Sequence, residues 1–263
     1  MGLKGVYPAH KKDGTLYFRS SVTYKNKHIS LGSFDNGESA TKAYYNALDI
    51  LKGAYGITDY DPLMLLSHDK YITLINFRDN DVYIKNPVYL QNTYIEYYLD
   101  SDTVFKFDIE DIFFYSSHRI QRRKGHFFVA DYGMQLNLRH RYGIKSHAVA
   151  GRDYVFINGD EYDYRYENIE IINSYNGVIR QKKNNRITYK AKILINGNYL
   201  IGEYESCTEA AIAYNKAADI LMSKGFGKKY ELNYIDDLSP SDYARIYTGL
   251  TISDKIYKLS GIH

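Results

Sequence analysis

Between residues 189 and 193 the chain alternates, with Ala191 and Ile193 on one face and Lys190 and Lys192 on the other. That period of two marks a half-buried strand. Asn196-Gly197 predicts a type I′ hairpin turn leading into a second strand, Tyr199 to Tyr204. Thr208 and Glu209 open a helix in which Ala210, Ala213, Tyr214, Ala217, Ile220 and Leu221 recur at helical spacing, and Gly225 stops it. Alanines on that stripe let the helix lie close to the sheet and leave the opposite sheet face free. Near the N-terminus, Phe18, Ser20 and Val22 are expected to face a similar helix, with Tyr17, Arg19 and Ser21 outward. Elsewhere, Tyr71 to Phe77 and Val82 to Ile84 read as short strands. So do His126 to Asp131 and Gln135 to Leu138, on either side of a turn at Tyr132-Gly133. Ser239-Pro240 predicts the start of a helix running through Tyr247.

The two sheet-and-helix patterns are copies. Gly5-Val6-Tyr7 returns as Gly177-Val178-Ile179, and Leu31-Gly32-Ser33-Phe34 as Ile201-Gly202-Glu203-Tyr204. Ala40, Ala43, Tyr44, Ala47, Asp49, Ile50 and Leu51 return as Ala210, Ala213, Tyr214, Ala217, Asp219, Ile220 and Leu221. The offset slips from 172 to 170 along the unit, as one-residue changes in two hairpin turns would produce.

Composition narrows the class. A chain of 263 residues with 44% hydrophobic and 25% charged side chains is an ordinary globular one, of two or three domains. One cysteine, Cys207, excludes a disulfide framework or a cysteine-rich zinc site, and no apolar run reaches membrane-span length. The expectation is a cytoplasmic, nucleoid-associated protein. The net charge of +3 conceals alternating blocks: +4 over 1–58, −7 over 59–117, +7 over 118–152, −5 over 153–176, +6 over 177–230 and −2 over 231–263. Three basic blocks suggest several surfaces meeting a polyanion. On the second copy the basic residues are Lys190 and Lys192, with Arg180, Lys182, Lys183 and Arg186 on the preceding strand and turn. On the first, Lys11, Lys12, Lys25, Lys27 and His28 sit at turns and edges beside Tyr17 and Arg19.

The run Glu209-Ala210-Ala211-Ile212-Ala213-Tyr214-Asn215-Lys216-Ala217-Ala218, after Gly177-Val178-Ile179 and Tyr189-x-Ala191-x-Ile193, resembles the Apetala-two/ethylene-response-factor (ERF) DNA-binding domain in its bacterial and phage versions. The resemblance covers roughly 50 residues twice. It is weaker in the first copy, where Thr41 and Lys42 replace small or apolar residues and Ser20 stands where alanine is common. It implies that the sheet, rather than the helix, reads double-stranded DNA. Plant members carry an arginine after Gly-Val; Tyr7 and Ile179 occupy that place, so plant sequence preference does not carry over.

Between the copies, Leu138-Arg139-His140-Arg141, then Asn158-Gly159-Asp160, Asp163, Arg165, Glu167 and Asn168, resemble the HNH core of phage and bacterial homing endonucleases. In that family a Leu-His-Arg strand leads to an Asp-His pair, which supplies a metal ligand and the base that deprotonates water. Here Val155-Phe156 stands in the place of that pair, and neither side chain can do either task. Asp153, Asp160, His140 and Asn168 are the candidates for a shifted site using Mg2+, and His147 lies near in sequence. An asparagine such as Asn168 is expected to shape a turn. Arg119, Arg122, Arg123, Lys124, Arg139, Arg141 and Lys145 are expected phosphate contacts.

The expectation is therefore an α+β chain. Two three-stranded-sheet-plus-helix, Apetala-two/ERF-like domains, 1–58 and 177–230, flank a degenerate HNH-like ββα domain, 118–176. An acidic aromatic lobe spans 59–117 and a helical tail 231–263. The expected function is non-catalytic, sequence-specific DNA binding, with transcriptional control in a mobile element and no cofactor. An HNH homing or nicking endonuclease, and a mobile-element protein that binds a host protein through the acidic block, are the alternatives.

Overall fold

The computed structural model describes residues 4–131, 133–146, 148–227 and 229–260. They form an α+β structure of small antiparallel sheets and helices. The chain divides into two compact units, 1–138 with 158–168, and 139–157 with 169–263. Among the described residues no helix is long and apolar enough to cross a membrane.

In the first unit, β1 (Val6–His10), β2 (Leu16–Tyr24) and β3 (Lys27–Phe34) make an antiparallel sheet in chain order. Lys25 and Asn26 join β2 to β3 with φ of 45° and 61°, the left-handed pair of a type I′ turn. Helix α1 (Gly37–Leu51) starts at Asn36, whose side chain accepts the Ser39 N–H at 2.8 Å. Ala40, Ala43 and Ala47 are fully buried against the sheet. Helix α2 (His68–Asn80) is capped by Ser67 and packs on α1. Next come β4 (Val88–Leu90), β5 (Tyr94–Tyr98) and β6 (Val104–Asp108), one sheet, then α3 (Ile112–Ser117). Strands β7 (Ile120–Arg123), β8 (His126–Asp131) and β9 (Met134–Asn137) form another. Residues 158–168 return to this unit, where Lys106 accepts the Tyr164 N–H and donates to the Tyr162 carbonyl, at 2.8 and 3.0 Å.

A four-residue helix, α4 (Leu138–Arg141), stands at the unit boundary. In the second unit β10 (Tyr154–Phe156) pairs with β11 (Ile169–Ile171). Strands β12 (Val178–Lys183), β13 (Arg186–Leu194) and β14 (Asn198–Tyr204) then repeat the first sheet, and α5 (Cys207–Ser223) repeats α1. Helices α6 (Pro240–Gly249, N-capped by Ser239) and α7 (Asp254–Lys258) pack on α5.

The copies match in detail. In β3, Leu31 bulges between Gly32 opposite Ser20 and Ser30 opposite Ser21. In β14, Ile201 bulges between Gly202 opposite Ala191 and Leu200 opposite Lys192. Gly5 and Gly177 both hold positive φ, 76° and 70°, and a Cβ on either would lie 2.4 Å from the ring of Tyr44 or Tyr214. The Gly-Val and Tyr of each copy are thus two halves of one close contact between strand and helix. By register, Gly5 corresponds to Gly177, Ser20 to Ala191 and Gly32 to Gly202, so the offset falls by one residue in each hairpin turn.

Several expectations fail. Tyr71 to Phe77 is the middle of α2, buried at every position, and Val82 to Ile84 is not a strand. A short run buried at every position shows no alternation of buried and exposed sites, so only its surroundings decide between buried strand and buried helix. Asn196-Gly197 is not a type I′ turn, because neither residue has positive φ. Those angles occur instead at Lys25-Asn26, Lys124-Gly125 and Asn184-Asn185. Helix α5 begins one residue before Thr208, capped by Ser206. Leu138 to Arg141 is a helical turn rather than a strand. Residues 118–176 divide between the two units, and the helix that the HNH resemblance implies is a single 3-10 turn, Tyr166–Asn168. Tyr132 and His147 lie outside the described residues.

Candidate nucleic-acid interface

Strand register sorts the candidate side chains by face. In the first sheet Tyr7, Arg19 and Ser33 lie side by side across β1, β2 and β3, all exposed on the face away from α1. Arg19 reaches back along β2 to the Tyr17 hydroxyl, donating from Nη2 at 2.6 Å and Nε at 3.0 Å. These bonds tie the guanidinium to Tyr17 on the open face. Ser21 also points away from α1 by register but is only 8% exposed, so it adds nothing to the open face. Lys11 and Lys12 are exposed in the β1–β2 turn.

Lys25 and Lys27 take another course. The Lys25 ammonium bonds to the Asp81 carboxylate and to the Arg78 carbonyl, at the end of α2. Lys27 lies over the Tyr83 ring, 5.1 Å from its centroid. Both belong to the packing of this sheet on its own unit. The sequence held no sign of this, because Asp81 and Tyr83 are more than fifty residues away.

In the second sheet Ile179, Lys190 and Glu203 occupy the row equivalent to Tyr7, Arg19 and Ser33. Lys183, Arg186, Lys190 and Lys192 all point away from α5. Arg180 and Lys182 do not, since register puts them on the face of Val178 and Ala191, the helix side. They are exposed because the strand end runs past the buried part of the sheet. Acidic neighbours offset part of the outer charge: Lys190 lies 3.8 Å from Glu203, and Arg186 pairs with Glu205. Lys192 lines a cleft of about 390 Å3 with Arg152, Asn176 and Asn198. Arg152 and Asn198 escaped sequence reasoning, although Arg152 closes the basic block of 118–152.

The cations of 118–145 are scattered. Arg119 pairs with Asp69, and Arg122 meets Asp100 at 3.2 Å and the Thr103 hydroxyl. Arg123 donates to Gln135 at 3.2 Å, while Lys124 forms the exposed β7–β8 turn. Those four belong to the first unit. Arg139, over the Tyr154 ring, exposed Arg141 and Lys145, over the Tyr175 ring, belong to the second.

The residues of the HNH resemblance serve the backbone. Asn168 is buried; its Oδ1 accepts the Asn158 N–H and its Nδ2 donates to the Asp163 carbonyl, each at 2.8 Å. It shapes the 158–168 loop, as its residue type suggested. The fully buried Asp163 carboxylate accepts from Arg165 and Asn158. Asp153, in the other unit, accepts from Val149 N–H at 2.8 Å, Arg152 Nε at 3.0 Å and Asn173 Nδ2 at 3.0 Å. Burial alone would raise its carboxyl, yet these donors outweigh burial and hold it below the ordinary 3.8. A carboxylate so occupied has little left for a cation. His140 is exposed and shares a hydrogen bond of 2.7 Å with the Ser146 hydroxyl. Among the described residues no group of three or more His, Cys, Asp or Glu converges as a metal site.

Comparison with family models, curated proteins and solved structures returned no significant match.

Proposed function

We propose that this protein binds double-stranded DNA without cutting it, each outer sheet face lying against the duplex, and regulates transcription by occupancy in a bacterial or phage mobile element. One observation carries the reading. Two copies in one chain build the same bulged sheet, close its back with an alanine-lined helix, and leave open a face whose central row carries a cation, Arg19 or Lys190. A twisted three-stranded sheet fits the width of the major groove. Tyr7, Tyr17, Ser33 and Thr188 add hydroxyls on these faces, which can meet base edges or phosphates. Lys183 and Lys192 would position the second sheet on the backbone, and Lys11 and Lys12 the first.

In-vitro selection of bound duplexes, followed by titration over a range of salt, tests this. Lys183→Ala with Lys192→Ala should weaken binding and reduce the salt slope by about 2, at roughly 0.9 per phosphate contact. Unchanged binding to every duplex would sink the assignment of the reading face. The selected duplex is expected to survive incubation with Mg2+.

A further inference from the structure

A cleft of about 450 Å3 lies within the first unit, and no residue of β1, β2 or β3 lines it. Its size suits a small ligand or a single long side chain. Its walls combine two chemistries. Tyr60, Tyr98 and Tyr162 supply aromatic surface, and Glu96, Asp102 and Asp160 supply three carboxylates against the ammonium of Lys106. That ammonium is already committed to Asp160, at 3.0 Å. His68 also lines the cleft, and its Nδ1 is buried without a hydrogen-bond partner. Burial pushes the imidazole below its ordinary 6.5, so it adds no positive charge at neutral pH. The Tyr98 hydroxyl donates to Glu96 Oε2 at 2.8 Å, and Gln91 donates to the same oxygen at 3.0 Å. These two bonds fix the glutamate in position.

Fixed carboxylates beside tyrosine rings attract organic cations, which gain from both the charge and the π faces. We infer that this cleft binds a guanidinium or ammonium group, either on a free amine or on an arginine side chain of a partner. The inference is independent of DNA binding. It also gives the most acidic block of the chain, residues 59–117, a task of its own.

Calorimetric titration of the full chain tests it with three probes: agmatine, the capped tripeptide acetyl-Gly-Arg-Gly-amide and neutral butylurea. Saturable binding of either cation, with none of butylurea, supports the site. Agmatine alone points to a free amine, and tighter binding of the peptide points to a partner's side chain. Asp102→Asn combined with Glu96→Gln should weaken the cation roughly tenfold, whereas Glu110→Gln, outside the cleft, should leave it unchanged. Asp102 is exposed, so Asp102→Asn alone keeps the test valid if Glu96→Gln disturbs the fold. Absence of saturable binding by both cations, equal binding of butylurea, or equal weakening by Glu110→Gln would overturn the inference.

Discussion

In the first copy of the repeat Thr41 and Lys42 stand where Ala211 and Ile212 stand in the second. Thr41 is part exposed and Lys42 exposed, while Ala211 and Ile212 are fully buried. Ala211 packs in the cluster that holds Ile252, from the segment between α6 and α7, and Ile256 of α7. The first helix is covered instead by α2, through the cluster of Ile50, Leu51, Leu74 and Ile75. One motif therefore accepts two different covers, and the helix side chains record which cover each copy met. The outer faces diverge as well. Arg19 is held by a tyrosine in the first sheet, and Lys190 faces a glutamate in the second. Two such faces cannot present the same pattern to a ligand.

The strongest way to break the comparison is to attack what the copies share. Gly177→Ala would place a Cβ 2.2 Å from the Lys192 carbonyl oxygen at a φ of 70°, costing about 3 kcal/mol or more. Gly5→Ala meets Tyr44 and the Ser21 carbonyl in the same way. Urea unfolding should show both losses; a neutral result at either position would mean that the contact is not shared.

Next come two buried carboxylates, Asp153 of the second unit and Asp163 of the first. Asp153→Asn should cost about 2–4 kcal/mol at neutral pH, because it removes the charge that Arg152 and the Val149 amide were built around. The folded carboxyl sits below 3.8, so its stabilisation is full above that value and is lost as pH falls through the lower folded value. Asp163, lowered by Arg165 against its own burial, follows the same sign. Acid titration of the wild type and Asp153→Asn should therefore converge at low pH, and parallel curves would refute the linkage.

A smaller effect concerns Ser20 and Ala191, equivalent and fully buried. Ser20 Oγ has no hydrogen-bond partner. Ser20→Ala should stabilise by about 1 kcal/mol, and Ala191→Ser should destabilise by about 1–3 kcal/mol, as a buried hydroxyl left unpaired must. Equal shifts of the same sign would show that the two sites are not equivalent. The smallest expected change is in DNA binding by Lys25→Ala: with its ammonium on Asp81, the salt slope should match the wild type.

Much of the scaffold was legible because a repeat tests itself. Alternation in Tyr189 to Ile193, the alanine stripe and Gly225 as a stop each found a counterpart in the structure, the last with a φ of 81°. Ser20 stood out as the odd residue at an alanine position before its hydroxyl proved unpaired. The candidate interface was less legible. Arg180 and Lys182 could be assigned to a face only once the β12–β13 register was known. Lys25 and Lys27 could be set aside only once α2 was seen to end beside them.

Local chemistry in the sequence determined the two sheet-and-helix units, their shared bulge glycines and the small residues that let helix meet sheet, since all of these act over a few residues. Tertiary structure alone decided that Tyr71 to Phe77 is a helix, which lysines are paired, and that Asn158, Asp163 and Asn168 are tied to one another by hydrogen bonds within their loop. The physical reason is range. Backbone propensity and periodicity are carried by neighbours in the chain, whereas burial, charge pairing and hydrogen-bond satisfaction depend on whichever residues the fold brings alongside.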